Sequence, residues 1–167
     1  QNEKLYKLAF VHKSASLKMP DGTHINNERL EFLGDAILDA TVAEYLYRKF
    51  PDKPEGFLSQ TRSKIVNGES LAQLTQSLGL DKFIVSHAFH FDTNKNILED
   101  AFEAFIGALY LDQGYRAVRK FVEKRLIAKY IDFDTVLKTD TNYKSRLLEW
   151  AQQKKVEVAF ETSAVDD

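Results

Sequence analysis

Cysteine is absent from the 167-residue chain. Its absence excludes a disulfide scaffold and any thiolate metal site, and it fits a reducing compartment such as the cytoplasm. No apolar run approaches the roughly 20 residues that a membrane-spanning helix needs, so no membrane partner is expected. No secretory signal is visible. Histidine is scarce, and none of His12, His24, His87 or His90 lies three residues after a glutamate. That spacing weighs against a ferritin-like di-iron bundle, which repeats Glu-x-x-His on two helices. There is no glycine-rich phosphate loop and no G-x-S-x-G nucleophile elbow. A dominant charge sign is missing too: 23 Lys and Arg against 25 Asp and Glu leave a net charge of −2.

What is present is a core-forming chain, 44% hydrophobic, with a strong local split of charge. Basic residues gather at Lys4, Lys7, Lys13 and Lys18, again from Arg116 to Lys129, and again at Lys138, Lys144, Arg146, Lys154 and Lys155. Apolar periodicity predicts helices over 3–10, 27–50, 57–66, 68–78, 97–113 and 115–130. Pro51 and Pro54 stop the second, and Gly79 and Gly114 close later ones. The fold class expected is all-α. After about residue 132 the character changes. Residues 133–142 read as a linker, "KSRLLEWAQQKK" as a short helix and "VEVAFETSAV" as a strand alternating at period two. A helix and strand alone bury no core, so 143–167 is expected to be part of a second domain, separate from the helical domain of 1–132.

The chemistry concentrates in two acidic groups. In "ERLEFLGDA" one helical residue turns about 100°, so Glu28, Glu31 and Asp35 fall within roughly 60° of one another. Asp39 follows one turn on. Leu30, Leu33 and Ile37 are expected to face the core from the opposite side. Like charges on one stripe destabilise a helix unless something neutralises them. In "ILEDAFEAFIGALYLD", Asp100 and Glu103 share a face of a helix whose core side carries Phe102, Phe105, Ile106 and Leu109. Carboxylates in so apolar a helix call for a cation or a proton. If the two helices pack together, Glu31, Asp35, Asp100 and Glu103 converge, and hard oxygen donors without cysteine favour Mg²⁺ or Mn²⁺. His12 is expected to be interior or capping, and His87 and His90 to lie on the surface.

These residues resemble the ribonuclease III family. "NNERLEFLGDAILD" at 26–39 is similar to its signature helix, and the likeness continues through "LAFVHKSA" at 8–15, "EGFLSQTRSKIVN" at 55–67 and "LEDAFEAFIGALYLDQGY" at 98–115. It covers residues 3–130. The tail resembles the start of a double-stranded RNA-binding domain. The resemblance implies a metal-dependent endonuclease that cuts double-stranded RNA to 5′-phosphate and 3′-hydroxyl ends in rRNA and mRNA processing. It implies metal ligands at Glu31, Asp35, Asp100 and Glu103, with catalytic roles for Asp35, Glu103, Glu28 and, less directly, Glu55. It also implies Mg²⁺ as cofactor with Mn²⁺ as a substitute, and a homodimer with Phe32 as the aromatic contact. Arg62, Lys64, Lys144 and Arg146 are the expected RNA contacts. The alternative, a silent duplex-binding relative used as a scaffold, is expected to lack one or more of these acids, and none is missing.

Overall fold

The computed structural model describes residues 2–88, 94–128, 150–151 and 154–156. The chain divides into two compact units, Gln1–Ile131 and Asp132–Asp167. In the second unit Trp150, Ala151 and Lys154 are helical. The predicted linker, and the predicted strand beyond Val156, lie outside the described residues.

The first unit is all-α in architecture. Its helices are α1 (Glu3–Ala9), α2 (Glu28–Lys49), α3 (Glu55–Ile65), α4 (Gly68–Ser77), α5 (Lys95–Gln113) and α6 (Tyr115–Phe121). The sequence explains their limits. α2 carries Glu28 and Glu31 in its first turn and Arg48 and Lys49 in its last, each favourable to the helix dipole. Buried Asn27 ties its start to the amino-terminal segment, with its backbone N–H donating to the Val11 carbonyl at 2.8 Å and its side-chain amide to the Ala9 carbonyl at 3.3 Å. Asn67 caps α4 by accepting from the Ser70 N–H at 3.0 Å. Gly114 ends α5 at φ 78°, a left-handed conformation that favours glycine.

α2 and α5 pack along each other as the central pair. α1 and α4 lie on α5, α3 lies on α2, and α6 packs against both α5 and α2. Leu38, Val42 and Leu46 from α2 meet a core that holds Leu98, Phe102 and Ile106 from α5, Leu71 and Leu74 from α4, and Val118 from α6. Burying each of the larger side chains contributes about 1.5–3 kcal/mol. The α2 core face differs from the sequence expectation. Leu30, Gly34, Leu38, Thr41, Val42 and Leu46 are buried, whereas Leu33 and Ile37 are only half-buried. α2 is covered by α5 on one side and by α3 and α6 on others, so its buried band is broad and reaches the flank of the acidic stripe.

Two further features depart from expectation. The loop after α1 contains a 3₁₀ turn (Lys13–Ala15) and a two-residue antiparallel ribbon, β1 (Leu17–Lys18) with β2 (His24–Ile25), in register Leu17–Ile25 and Lys18–His24. Strands this short leave no periodicity in a sequence. The predicted helix 115–130 is α6 continued by a π-helical stretch, Val122–Ile127, with residues beyond 128 outside the described set.

Candidate metal centre

The site is built by a close helix crossing. A Cβ on Gly34 of α2 would run into the Glu103 carbonyl oxygen of α5 and would sit 2.6 Å from that carbonyl carbon and 2.8 Å from the Gly107 nitrogen. A Cβ on Gly107 would in turn strike the Leu30 carbonyl oxygen. The backbones therefore touch. Glu31 and Asp35 flank Gly34 on α2, and Asp100 and Glu103 lie two turns and one turn before Gly107 on α5, so the crossing draws all four acids to one edge.

Their electrostatics follow from that placement. Burial pushes the Glu103 carboxyl up to about 8, and the charges of Asp35, Glu99, Glu31 and Asp100 push the same way. Burial also raises Glu31 and Asp100. Asp100 adds to the effect on Glu31, while Glu28 adds to both. Lys13 opposes the rise at both, and His12 opposes it at Asp100. These are partly buried carboxylates facing one another with too little positive charge among them.

Glu28 is exposed at the start of α2 and acts on Asp100, Glu31 and His12. His12 is 7% exposed. Its Nδ1 accepts from the Ser14 N–H at 3.2 Å and lies 2.8 Å from the Ser14 hydroxyl, so it is interior and capping, as expected. Burial lowers its pKa against the pull of Asp100. Ser14 joins Ser86 at 3.0 Å, and the Val11–Val85 bridge runs alongside, so this segment is fastened to the stretch ahead of α5.

Other expected residues stand apart. Glu55, exposed at the start of α3, accepts from the Ser59 hydroxyl at 2.6 Å and is not among the charges that dominate the field at Glu31, Asp100 or Glu103. Arg62 lies 3.8 Å from Asp39, and Lys64 is on the same helix, half-buried. In the basic helix, Arg119 is paired with Glu123 at 3.0 Å and Glu44 at 3.7 Å. Phe32 is 81% exposed. His87 is exposed, as expected, while His90, Lys144 and Arg146 lie outside the described residues. The acid that sequence reasoning missed is Glu99. Burial, then Asp100 and Asp35, raise its carboxyl as well. The signal was present in the sequence, since Glu99 is one turn before Glu103 on the same face.

Residues 2–130 match the ribonuclease-III-like family profile. The chain belongs to that family. It is 49% identical over 160 residues to ribonuclease 3 of Bacteroides thetaiotaomicron, covering 96% of this chain and 51% of that protein. It is 50% identical over 157 residues to ribonuclease 3 of Phocaeicola vulgatus, covering 94% and 51%. The chain thus spans about half the length of these curated relatives. Among solved structures, the nuclease domain of ribonuclease III from Campylobacter jejuni, described for flexibility in its dimer-forming region, superposes with a TM-score of 0.68 at 38% identity, covering 75% of this chain and 87% of that one. Dicer from Pichia stipitis superposes at 0.61 and 31% identity, covering 86% and 59%.

The donor set suits a hard divalent cation: carboxylate oxygens only, under mutual repulsion that a cation relieves. Among the described residues no three His, Cys, Asp or Glu side chains stand in ligating geometry.

Proposed function

We propose that this chain works as a divalent-metal-dependent endoribonuclease on double-stranded RNA, leaving 5′-phosphate and 3′-hydroxyl ends, in the processing of rRNA and mRNA. The observation that carries the proposal is the gathering of Glu31, Asp35, Asp100 and Glu103 at the Gly34–Gly107 crossing, where Glu103 is pushed up to about 8. These four would hold Mg²⁺, or Mn²⁺ in its place. Bound there, the ion supplies Lewis-acid polarisation of phosphate and a water of lowered pKa. Glu28 supports the shell through Asp100 and Glu31. Lys13, exposed, offsets part of the charge of both acids. Arg62 and Lys64, together with Lys144 and Arg146, would contact phosphates of an A-form duplex, which is read by shape more than by base edges. Glu55 is assigned to that RNA-facing side at the start of α3, one step removed from the acids.

The working unit in this reading is a homodimer. Phe32 is a large ring left almost bare on α2, turned away from its own core. On the neighbouring face of the same helix a cavity of about 540 Å³ is lined by Leu8, Ile25, Arg29, Leu30, Leu33 and Leu111, among others. In a two-fold pair the ring of one protomer would fill this cavity of its partner against the leucines, with His24, Asn26 and Arg29 at its polar part. Among the described residues no helix is long and apolar enough to cross a membrane.

Labelled duplex RNA incubated with Mg²⁺ at low salt tests the activity, with Glu103→Gln alongside. The unmodified chain is expected to cut and the variant to bind without cutting. Duplex binding without cleavage by the unmodified chain would identify a silent scaffold instead.

A further inference from the structure

The Glu99 side chain has an unusual seat. A Cβ built on Gly68, the first residue of α4, would strike its Oε2 and would lie 2.9 Å from its Cδ and 3.1 Å from its Oε1. The carboxylate therefore occupies the space that any other residue at 68 would fill. On that side it meets the amino-terminal end of α4, whose first N–H groups have no partner inside the helix and whose dipole is positive there. Nearby Lys95 is engaged elsewhere, 3.3 Å from Glu69. Glu99 also lies one turn before Glu103 on the same face of α5, where it is one of the charges acting on Glu103 and is itself acted on by Asp100 and Asp35. A carboxylate seated between a helix terminus and the proposed metal acids, and with no lysine or arginine ion pair among the described residues, is placed to bind the shell of the ion. Mg²⁺ asks for six oxygens and keeps several waters, and carboxylates beyond the direct ligands hold such waters in place.

We propose that Glu99 is a fifth carboxylate of the metal centre, holding the water shell of the divalent ion on the α4 side, and that glycine at 68 leaves the room it needs. This rests on the divalent-metal reading above. Calorimetric titration of the metal-free chain with Mn²⁺ alone tests it. Glu99→Gln is expected to weaken Mn²⁺ roughly tenfold to hundredfold, the range for residues that orient a metal shell. Gly68→Ala, which keeps the charge but shifts the flexible end of the Glu99 side chain, is expected to weaken Mn²⁺ in the same direction and by no more than Glu99→Gln. The double variant is expected to be no weaker than Glu99→Gln alone, because both changes act on the same interaction. In cleavage, the half-saturating metal concentration rises while the rate at saturating metal holds. Far-UV circular dichroism checks the fold of each variant, and Glu99→Gln alone decides if Gly68→Ala unfolds. Mn²⁺ binding by Glu99→Gln within twofold of the unmodified chain overturns the role of Glu99 and leaves the metal centre standing. No Mn²⁺ binding by the unmodified chain overturns both.

Discussion

Gly34→Ala should separate the two central helices and loosen the metal site with them. The added methyl would lie 2.6 Å from the Glu103 carbonyl carbon and 2.8 Å from the Gly107 nitrogen. Ordinary contact between carbons is about 3.5–4.0 Å, and the Glu103 carbonyl oxygen stands nearer still, so α2 and α5 must part by more than about 1 Å. The obstructing atoms are backbone of a 19-residue helix and cannot rotate aside. Overpacking of this kind costs roughly 1–3 kcal/mol, and a backbone obstacle puts this site near the upper end. Alanine recovers about 1 kcal/mol of helix propensity over glycine. Steric cost wins, with a net loss of about 2 kcal/mol, or roughly 5–8 °C in melting temperature for a chain of this size. Urea unfolding followed by far-UV circular dichroism, in chelator, reads the loss directly. The m-value should be unchanged. A variant as stable as the unmodified chain, or more stable, would refute the crossing and with it the reason the acids meet.

Other outcomes follow from the same geometry. In chelator, stability should fall as pH rises from about 4.5 to about 8, because folded Glu103 keeps a proton that the unfolded chain, with its ordinary value of 4.5, has released. Glu103→Gln should flatten that decline in a denaturation series across pH, and an unaltered slope would remove Glu103 as its source. Phe32→Asp should weaken self-association by roughly 100-fold, as expected for an anchor worth about 3 kcal/mol; sedimentation that shows an unchanged dimer would dismiss Phe32 as the contact. Arg62→Ala should weaken duplex RNA binding alike for all sequences and lower the salt slope by about 1, measured by filter binding at several salt concentrations. An unchanged slope would place Arg62 off the phosphates.

The main outline was legible because its signals are periodic. Glu31 and Asp35 fall on one stripe, and Asp100 and Glu103 lie beside bulky apolar residues, so two helices and their acids could be read before any packing was known. What escaped depends on how helices meet. Gly34 and Gly107 break otherwise good helix formers, a local cost of about 1 kcal/mol each that marks a close backbone approach, yet nothing in the sequence names the partner. Periodicity alone puts Leu33 and Ile37 in the core, because a single helix shows one apolar side. The centre of α2's buried band is set instead by α5, α3 and α6 together. Glu99 was passed over for the i, i+3 pair beside it, although its i, i+4 relation to Glu103 carried the same information. The π-helical stretch Val122–Ile127 has no sequence periodicity distinct from that of an α-helix.

The central claim is that a divalent ion belongs between α2 and α5. Crystals grown with Mn²⁺ and measured for anomalous scattering test it most directly. A peak is expected at the Gly34–Gly107 crossing within about 2.5 Å of carboxylate oxygens of Glu31, Asp35, Asp100 and Glu103. An ordered crossing with no peak at millimolar Mn²⁺, or a peak ligated elsewhere, would contradict it.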